Sequence, residues 1–336
     1  MWHLPFVFTQ VTHLYALMEV LFRFQITGTY IVRLILEGLL IGVIYALMAL
    51  GLTLIFSVLN IVSFAHGEFY MIGGYVVYTL LHHFKGMPGL VAIVLAALLT
   101  FGIGAIFERL FLQPMAKGKV DRPDEYAILI TFGLSFFLQF VMLGIMGPFP
   151  KKAPRFWSFP KVDLGVIRLS RTTLFIGHIP LSGGRIFAAI IALLALVGVL
   201  WFMYKTWTGW ALQAVSQDRN AASVVGINPL NMNTLAFGLG AMLAGLAGAV
   251  LVTVFSWVPW VGVPASAKSF VIIVLGGMGS IPGSLVGGLI LGVVESLGTG
   301  LFPDPARAQA YRDVFGLVIF ALVLWLKPTG LFGRKL

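Results

Sequence analysis

The sequence predicts an all-α, polytopic transmembrane helical bundle of about eight spans, one of them broken or re-entrant, with an extra helix lying outside the membrane. Composition is the first ground. Of 336 residues, 59% are hydrophobic and only 10% are charged, and the mean hydropathy is +0.99; a soluble domain carries roughly a quarter charged residues. The second ground is recurrence: runs of the roughly 20 apolar residues that a spanning helix needs follow one another along the chain. The third is an interruption, the polar stretch Lys205–Asn233 between two such runs.

Taken in order, the chain opens with Met1–Thr29, where Glu19 and Arg23 break the apolar character and Leu14, Leu17, Met18, Leu21 and Phe22 recur at helical spacing. This favours an interfacial helix in an extension over residues 1–33, not a signal peptide or a span. The membrane domain is expected over 34–330, with a short tail at 331–336. Its candidate spans are Leu34–Phe56, Phe69–Leu81, Leu90–Leu112, Ala127–Met146, Arg185–Tyr204, Thr234–Phe255, Ser269–Leu301 and Val314–Leu326. Gly276, Gly277, Gly279 and Pro282 divide the seventh, because proline lacks a donor and disfavours helix at the residue before it. Rows of small residues at four-residue spacing, Gly240/Ala244/Gly248 and Gly279/Gly283/Gly287, suit close helix packing in lipid. Packing within one subunit and packing between subunits both fit them.

Gln113–Tyr126 and the polar stretch share one face of the membrane, and Pro148–Gly184 lies on the other. Lys117, Lys119, Arg122, Lys205 and Arg219 stand on the first face, against Lys151, Lys152, Arg155, Lys161, Arg168 and Arg171 on the second. The excess of cationic residues that normally marks the cytoplasmic side therefore does not orient the chain. A net charge of +10 suits anionic headgroups of a lipid bilayer, and no nucleic-acid partner is expected.

Two polar constellations stand out. In the stretch Lys205–Asn233, Leu212, Val215, Ala222 and Val225 form an apolar stripe, Gly226 suits a helix stop, and Asn228-Pro229 suits the turn beyond. A transverse helix Leu212–Val225 with a flat Ala221-Ala222 patch would fit a cleft on a soluble partner; a connection resting on headgroups is the plainer alternative. The second constellation, Asn60–Glu68, supplies Asn60, Ser63, His66 and Glu68 as candidate path or gate residues, since ionisable groups in membrane segments mark functional sites. The alternative is that Glu68 caps a helix N-terminus. No Walker A run, HExxH, GxSxG or metal-ligand cluster occurs, and there is no cysteine. Neither catalysis nor a bound metal or cofactor is expected of this chain.

The chain resembles the LivH-type permeases of branched-chain amino acid ABC importers. The resemblance rests on Tyr45–Gly51, Phe64–Glu68 with Met71–Gly73, Phe107–Arg109 with Pro114, Asp218 with Ala221–Asn228, Leu275–Gly283, Gly287–Gly292 and Pro328–Gly330, in family order. It implies two cytoplasmic ATPase subunits that bind the ATP, a second homologous permease, a periplasmic amino-acid-binding protein and a location in the bacterial inner membrane. It also implies that the polar stretch is a cytoplasmic coupling helix whose contact residues are Asp218, Arg219, Asn220, Ala221, Ala222 and Gly226. Asn220 stands where the wider signature has Glu, so Asp218 is expected to take the acidic role. Gly279, Pro282, Gly283 and Gly287 would form a packing hinge. Urea or short-amide import by a related system is a rival substrate. A proton-coupled secondary transporter using His66 and Glu68, and a purely structural subunit, are rivals of other classes.

Overall fold

In the computed structural model, which describes residues 28–333 other than 85, 159, 164–166 and 178, helix α1 (Gly28–Leu59) is buried without a break from Ile44 to Ile55. A helix apolar along this length suits either lipid or a protein interior, and here the other elements surround it. They are α2 (His66–His83), α3 (Gly89–Phe107), α4 (Pro123–Met146), α5 (Gly183–Lys205), α6 (Trp207–Gln217), α7 (Arg219–Val224), α8 (Pro229–Leu251), α9 (Gly262–Gly276), α10 (Ile281–Gly300), α11 (Pro305–Ala308) and α12 (Arg312–Leu326). Helix α3 runs on through a π-helical turn at Glu108–Leu112 into a last turn, Gln113–Ala116. Helices α10, α8, α5 and α9 pack on α1, and α8 also packs on α2 and α3.

Among the described residues, six helices are long and apolar enough to cross a membrane: α1, Gly89–Ala116, α4, α5, α8 and α10. This is a multi-pass, helical membrane protein. The segment expected as Ser269–Leu301 is two helices, α9 and α10, joined at Gly277–Ser280. Gly277 and Gly279 there hold φ of 101° and 79°, values that a side chain strongly disfavours. Residues 28–33, expected in the extension, are the first turns of α1. The interfacial helix proposed for Met1–Thr29 falls almost wholly outside the described residues.

Lipid gives helices no hydrophobic reason to associate, so close packing has to supply the attraction. The small-residue rows do this inside the chain, except at Gly279, which lies in the α9–α10 junction and meets nothing within 4 Å. A Cβ placed at Gly240 would stand 2.6 Å from the Gly51 carbonyl of α1, and one at Gly248 only 1.9 Å from the Tyr70 carbonyl of α2. On α10, Gly283 abuts the Gly276 carbonyl and Gly287 the Ile272 carbonyl of α9. Gly288 and Gly292 of the same helix meet Ala46, Gly38 and Gly42 of α1.

The segment expected to be loop, Pro148–Gly184, folds in part as an antiparallel sheet of β1 (Val162–Asp163), β2 (Ile167–Leu169), β3 (Thr173–Ile176) and β4 (Ile179–Ser182), in that order. Trp257, in the turn after α8, ties this face to the bundle. Its backbone exchanges hydrogen bonds with Lys151 (2.8 and 2.7 Å), and its wholly buried indole N–H donates to the Met71 carbonyl of α2 at 2.9 Å.

Replacing Gly248 with Leu is expected to destabilise the fold by at least the about 1–3 kcal/mol typical of overpacking, because the carbonyl it meets is backbone. Gly198→Ala, on an exposed stretch of α5 with nothing within 4 Å of the new methyl, should leave stability unchanged or slightly raised. Thermal unfolding of the detergent-purified protein, followed by size-exclusion profile, checks both.

Candidate functional site

The polar stretch begins where α5 ends. The Thr206 hydroxyl accepts from the Gly209 N–H at 3.1 Å and so caps α6. Gln213 Nε2 and Trp210 Nε1 donate back to the Met203 and Tyr204 carbonyls at 2.5 and 2.9 Å. These bonds fold α6 sharply against the helix it follows. The single transverse helix expected over Leu212–Val225 is instead two, because Asp218 takes an extended conformation (φ −151°) and caps α7, its Oδ1 accepting from the Asn220 and Ala221 N–H groups at 2.8 and 3.0 Å. Gly226, at φ 87°, ends α7, and the Asn228 side chain caps α8.

The break re-aims the side chains. Leu212, Val215 and Ala222 are buried, while Val224 and Val225 are 86% and 74% exposed. Ala222 therefore belongs to the internal packing and is not part of an exposed flat patch; Ala221 and Asn220 face outward. Arg219 turns inward. Its Nη2 donates to the Val58 carbonyl at 2.5 Å and to Asn233 Oδ1 at 3.4 Å. Val58 is in the last turn of α1, whose carbonyls lack helical partners and carry the negative end of the helix dipole.

Asn60, Ser63, His66 and Glu68 do not come together as one site. Asn60 ends α1 with φ 57° and lies exposed beside Arg219 and Asp124, around a cavity of about 330 Å³. Ser63, His66 and Glu68 are wholly buried. His66 Nε2 donates to the Met48 carbonyl at 2.9 Å, and Glu68 Oε1 accepts from the Ser135 hydroxyl at 3.1 Å. Glu68 thus bonds across to α4 and does not cap α2, and no hydrogen bond joins it to His66. Ser63 Oγ, His66 Nδ1 and Glu68 Oε2 have no hydrogen-bond partner among the described residues. Gly67 N–H donates to Ser266 Oγ at 2.8 Å, which fixes this turn to α9.

Of the proposed hinge residues, Gly279 and Pro282 sit at the α9–α10 junction, where Ser280 Oγ caps α10. Gly283 and Gly287 press α10 onto α9. The chain's last described turn returns here, with Leu331 and Phe332 N–H donating to the Leu275 and Gly276 carbonyls at 2.9 Å each.

A charged cluster joins α1, α9, α10 and α12. Glu295, 1% exposed, accepts from Lys268 Nζ at 2.7 Å, from the Tyr45 hydroxyl at 2.8 Å and from Arg312 Nε at 2.8 Å. Lys268 also donates to the Tyr45 oxygen at 3.0 Å and pairs with Asp313 at 2.9 Å. Lys268, Arg312 and Asp313 border a chamber of about 280 Å³ whose other walls include Ile44, Met48, Leu251, Phe255 and Val261. Arg312 and Gln309 also border a second cavity, of about 300 Å³, with Arg33, Glu37 and Arg185. Its Arg33 and Glu37 lie near the start of α1, about 30–40 Å of helix from the Arg219 contact at Val58. Sequence reasoning missed this cluster, although Glu295 falls inside a span and the rule applied to Glu68 applies equally to it.

The profile described as branched-chain amino acid transport system, permease component, matches residues 34–324. The chain is 31% identical over 309 residues to the high-affinity branched-chain amino acid transport permease BraD of Pseudomonas aeruginosa, covering 89% of this chain and 95% of that one. It is 31% identical over 318 residues to LivH of Escherichia coli K12 (91% and 96% covered). A LivM permease of Salmonella typhimurium is 28% identical over 257 residues, covering 70% of this chain and 57% of that protein. No solved structure matches.

Removing one member of a buried ion cluster leaves the others uncompensated, at a cost of about 3–5 kcal/mol. Glu295→Ala is therefore expected to lower the thermal stability of the purified protein sharply. Arg122→Ala, which breaks the exposed Arg122–Glu125 pair, should change it by about 1 kcal/mol or less. Equal effects in a detergent melt would mean the cluster is not a structural keystone.

Proposed function

The chain belongs to the permease-component family of branched-chain amino acid transport systems, and from that membership we propose that it is the transmembrane subunit of an ATP-driven ABC importer for branched-chain amino acids in the bacterial inner membrane. The observation that carries the reading to this chain is the α6–α7 element. It is a rigidly braced, capped projection outside the spans, with two bare valines at its tip. Exposed apolar side chains at the end of a projection suit a partner's surface better than water.

In this proposal α6–α7 faces the cytoplasm and docks an ATPase subunit, with Asn220, Ala221, Val224 and Val225 in the contact and Asp218 holding the shape of the turn. Two ATPase subunits bind and hydrolyse the ATP; this chain supplies no nucleotide site and no catalysis. A second permease of the same family, of the kind to which the LivM likeness points, completes the membrane part. A periplasmic binding protein delivers the amino acid to the face that carries the sheet.

The Arg219–Val58 bond gives the push a route. Movement of α7 pulls on the end of α1 directly, without an intervening flexible loop. ATP binding shifts the inward-open and outward-open populations only if the ATPases grip α6–α7 differently in the two states. Ser63, His66 and Glu68, with their unpartnered atoms at the α2–α9 contact, are the groups such a movement would open, and we assign them to the gate.

Val224→Glu with Val225→Glu is expected to leave expression and folding intact while reducing ATP-driven leucine uptake and stimulated ATP hydrolysis by at least about tenfold. The corresponding loss is about 1.4 kcal/mol of docking. Proteoliposomes containing the full complex test this. Undiminished uptake in the double variant would overturn the docking role, and uptake that collapses with an uncoupler while ignoring ATP would favour a proton-driven carrier.

A further inference from the structure

We infer that the chamber bordered by Tyr45, Lys268, Arg312 and Asp313 is a substrate subsite that holds one zwitterionic amino acid with an apolar side chain. The inference rests on the transport reading above and adds to it the residues that meet the cargo.

The charged cluster divides into groups that are used up and groups that are not. Lys268 has three N–H donors, and Tyr45, Glu295 and Asp313 take one each. Both oxygens of Glu295 are engaged, one by Lys268 and the other by Tyr45 and Arg312 Nε. Those contacts are structural. The Nη1 and Nη2 groups of Arg312 have no hydrogen-bond partner among the described residues, and Arg312 lines the chamber. Asp313, also on the chamber wall, engages Lys268 through Oδ1, which leaves Oδ2 open. A planar fork of donors beside a carboxylate oxygen is the complement of an α-carboxylate beside an α-ammonium.

The charge balance narrows the ligand further. Lys268 and Arg312 are offset by Glu295 and Asp313, so these four charges sum to zero. A zwitterion leaves that sum unchanged. A lone carboxylate or a lone amine would add an unbalanced charge beside the buried Glu295 cluster, which is costly. The apolar walls are Ile44, Met48, Leu251, Val261 and Phe255, the last with its ring 5.9 Å from the Arg312 guanidinium. They reward an aliphatic side chain and strip water from a polar one without offering it a partner. The volume of about 280 Å³ lies just under the about 300–1,000 Å³ of typical ligand pockets, enough for one small molecule. Arg312 and Gln309 border the outer cavity as well, so a substrate passing from that cavity into the chamber stays beside the same guanidinium.

The test uses the permease purified with its co-purifying subunits and without any soluble binding protein. Equilibrium dialysis of labelled L-leucine at millimolar concentration is compared with competition by 4-methylpentanoate and by 3-methylbutylamine, which carry one charge each. L-leucine should bind saturably, and each singly charged analogue should compete at least about tenfold more weakly, the loss of about one charge-assisted hydrogen bond. Asp313→Asn, at an exposed rim position, and Arg312→Lys, which keeps the charge but not the fork, should each weaken leucine binding by a similar factor while the complex still elutes as one species. Saturable binding unchanged in both variants, or equal competition by 4-methylpentanoate, overturns the subsite. Parallel ATP-driven uptake separates the two claims. If the complex transports leucine and the variants neither bind nor transport it differently, the subsite is wrong and the importer reading stands. If the wild-type complex fails to transport leucine, yet binds it and the variants do not, the subsite stands and the importer reading fails.

Discussion

Backbone has to approach backbone around α1 before anything else in this protein can be placed. Gly38 and Gly42 of that helix meet Gly292, Gly288 meets Ala46, and Gly51 meets Gly240, at separations where even a methyl group would collide with main chain. Dispersion across such contacts replaces the hydrophobic drive that lipid withholds. Tyr45 lies on the same helix, and Glu295 follows Gly292 by less than a turn on α10. The glycine contacts therefore set the distance at which Tyr45, Lys268 and Arg312 reach the Glu295 carboxylate. The charged cluster follows from the packing and does not cause it.

The two buried polar regions then differ in kind. At Glu295 both carboxylate oxygens and all three Lys268 donors are paired, which is how ionised groups survive away from water. Around Ser63, His66 and Glu68, one atom of each side chain is left without a partner among the described residues. A saturated cluster holds one arrangement firmly, whereas an unsaturated one has something to gain from rearranging or hydrating. The bundle thus carries a stiff polar centre against α12 and a compliant one between α2, α4 and α9.

Much of this could be read from the chain. Gly276, Gly277, Gly279 and Pro282 announced the α9–α10 break because no helix tolerates that combination, and the four-residue rows on α8 and α10 announced close packing. Composition alone set Lys205–Asn233 apart from the spans. The split at Asp218 was missed although its signal was present, since an Asp followed by a short helical run is an N-cap pattern. The small sheet was also signalled, by Thr173–Ile176 and Gly177, but β-branched and aromatic runs in a membrane protein are easily taken for loop or span. Of the charged cluster, only Glu295 was signalled, as an acid inside a span; its partners were not. Tyr45 and Glu295 are 250 residues apart, and nothing local to either names the other. Ala222 is buried with Leu212 and Val215, in keeping with the apolar stripe, and it is Val225 that leaves that stripe for solvent.

Trp257 has a mechanical consequence. One residue pairs by backbone with Lys151 just before the sheet, donates from its ring to the main chain of α2, and wedges that ring against Gly74. It works as a rivet through three layers. A load applied to the outer face near Lys151 reaches α2 without passing through any compliant link, and the helix that begins with the unsaturated His66–Glu68 turn is the first to feel it.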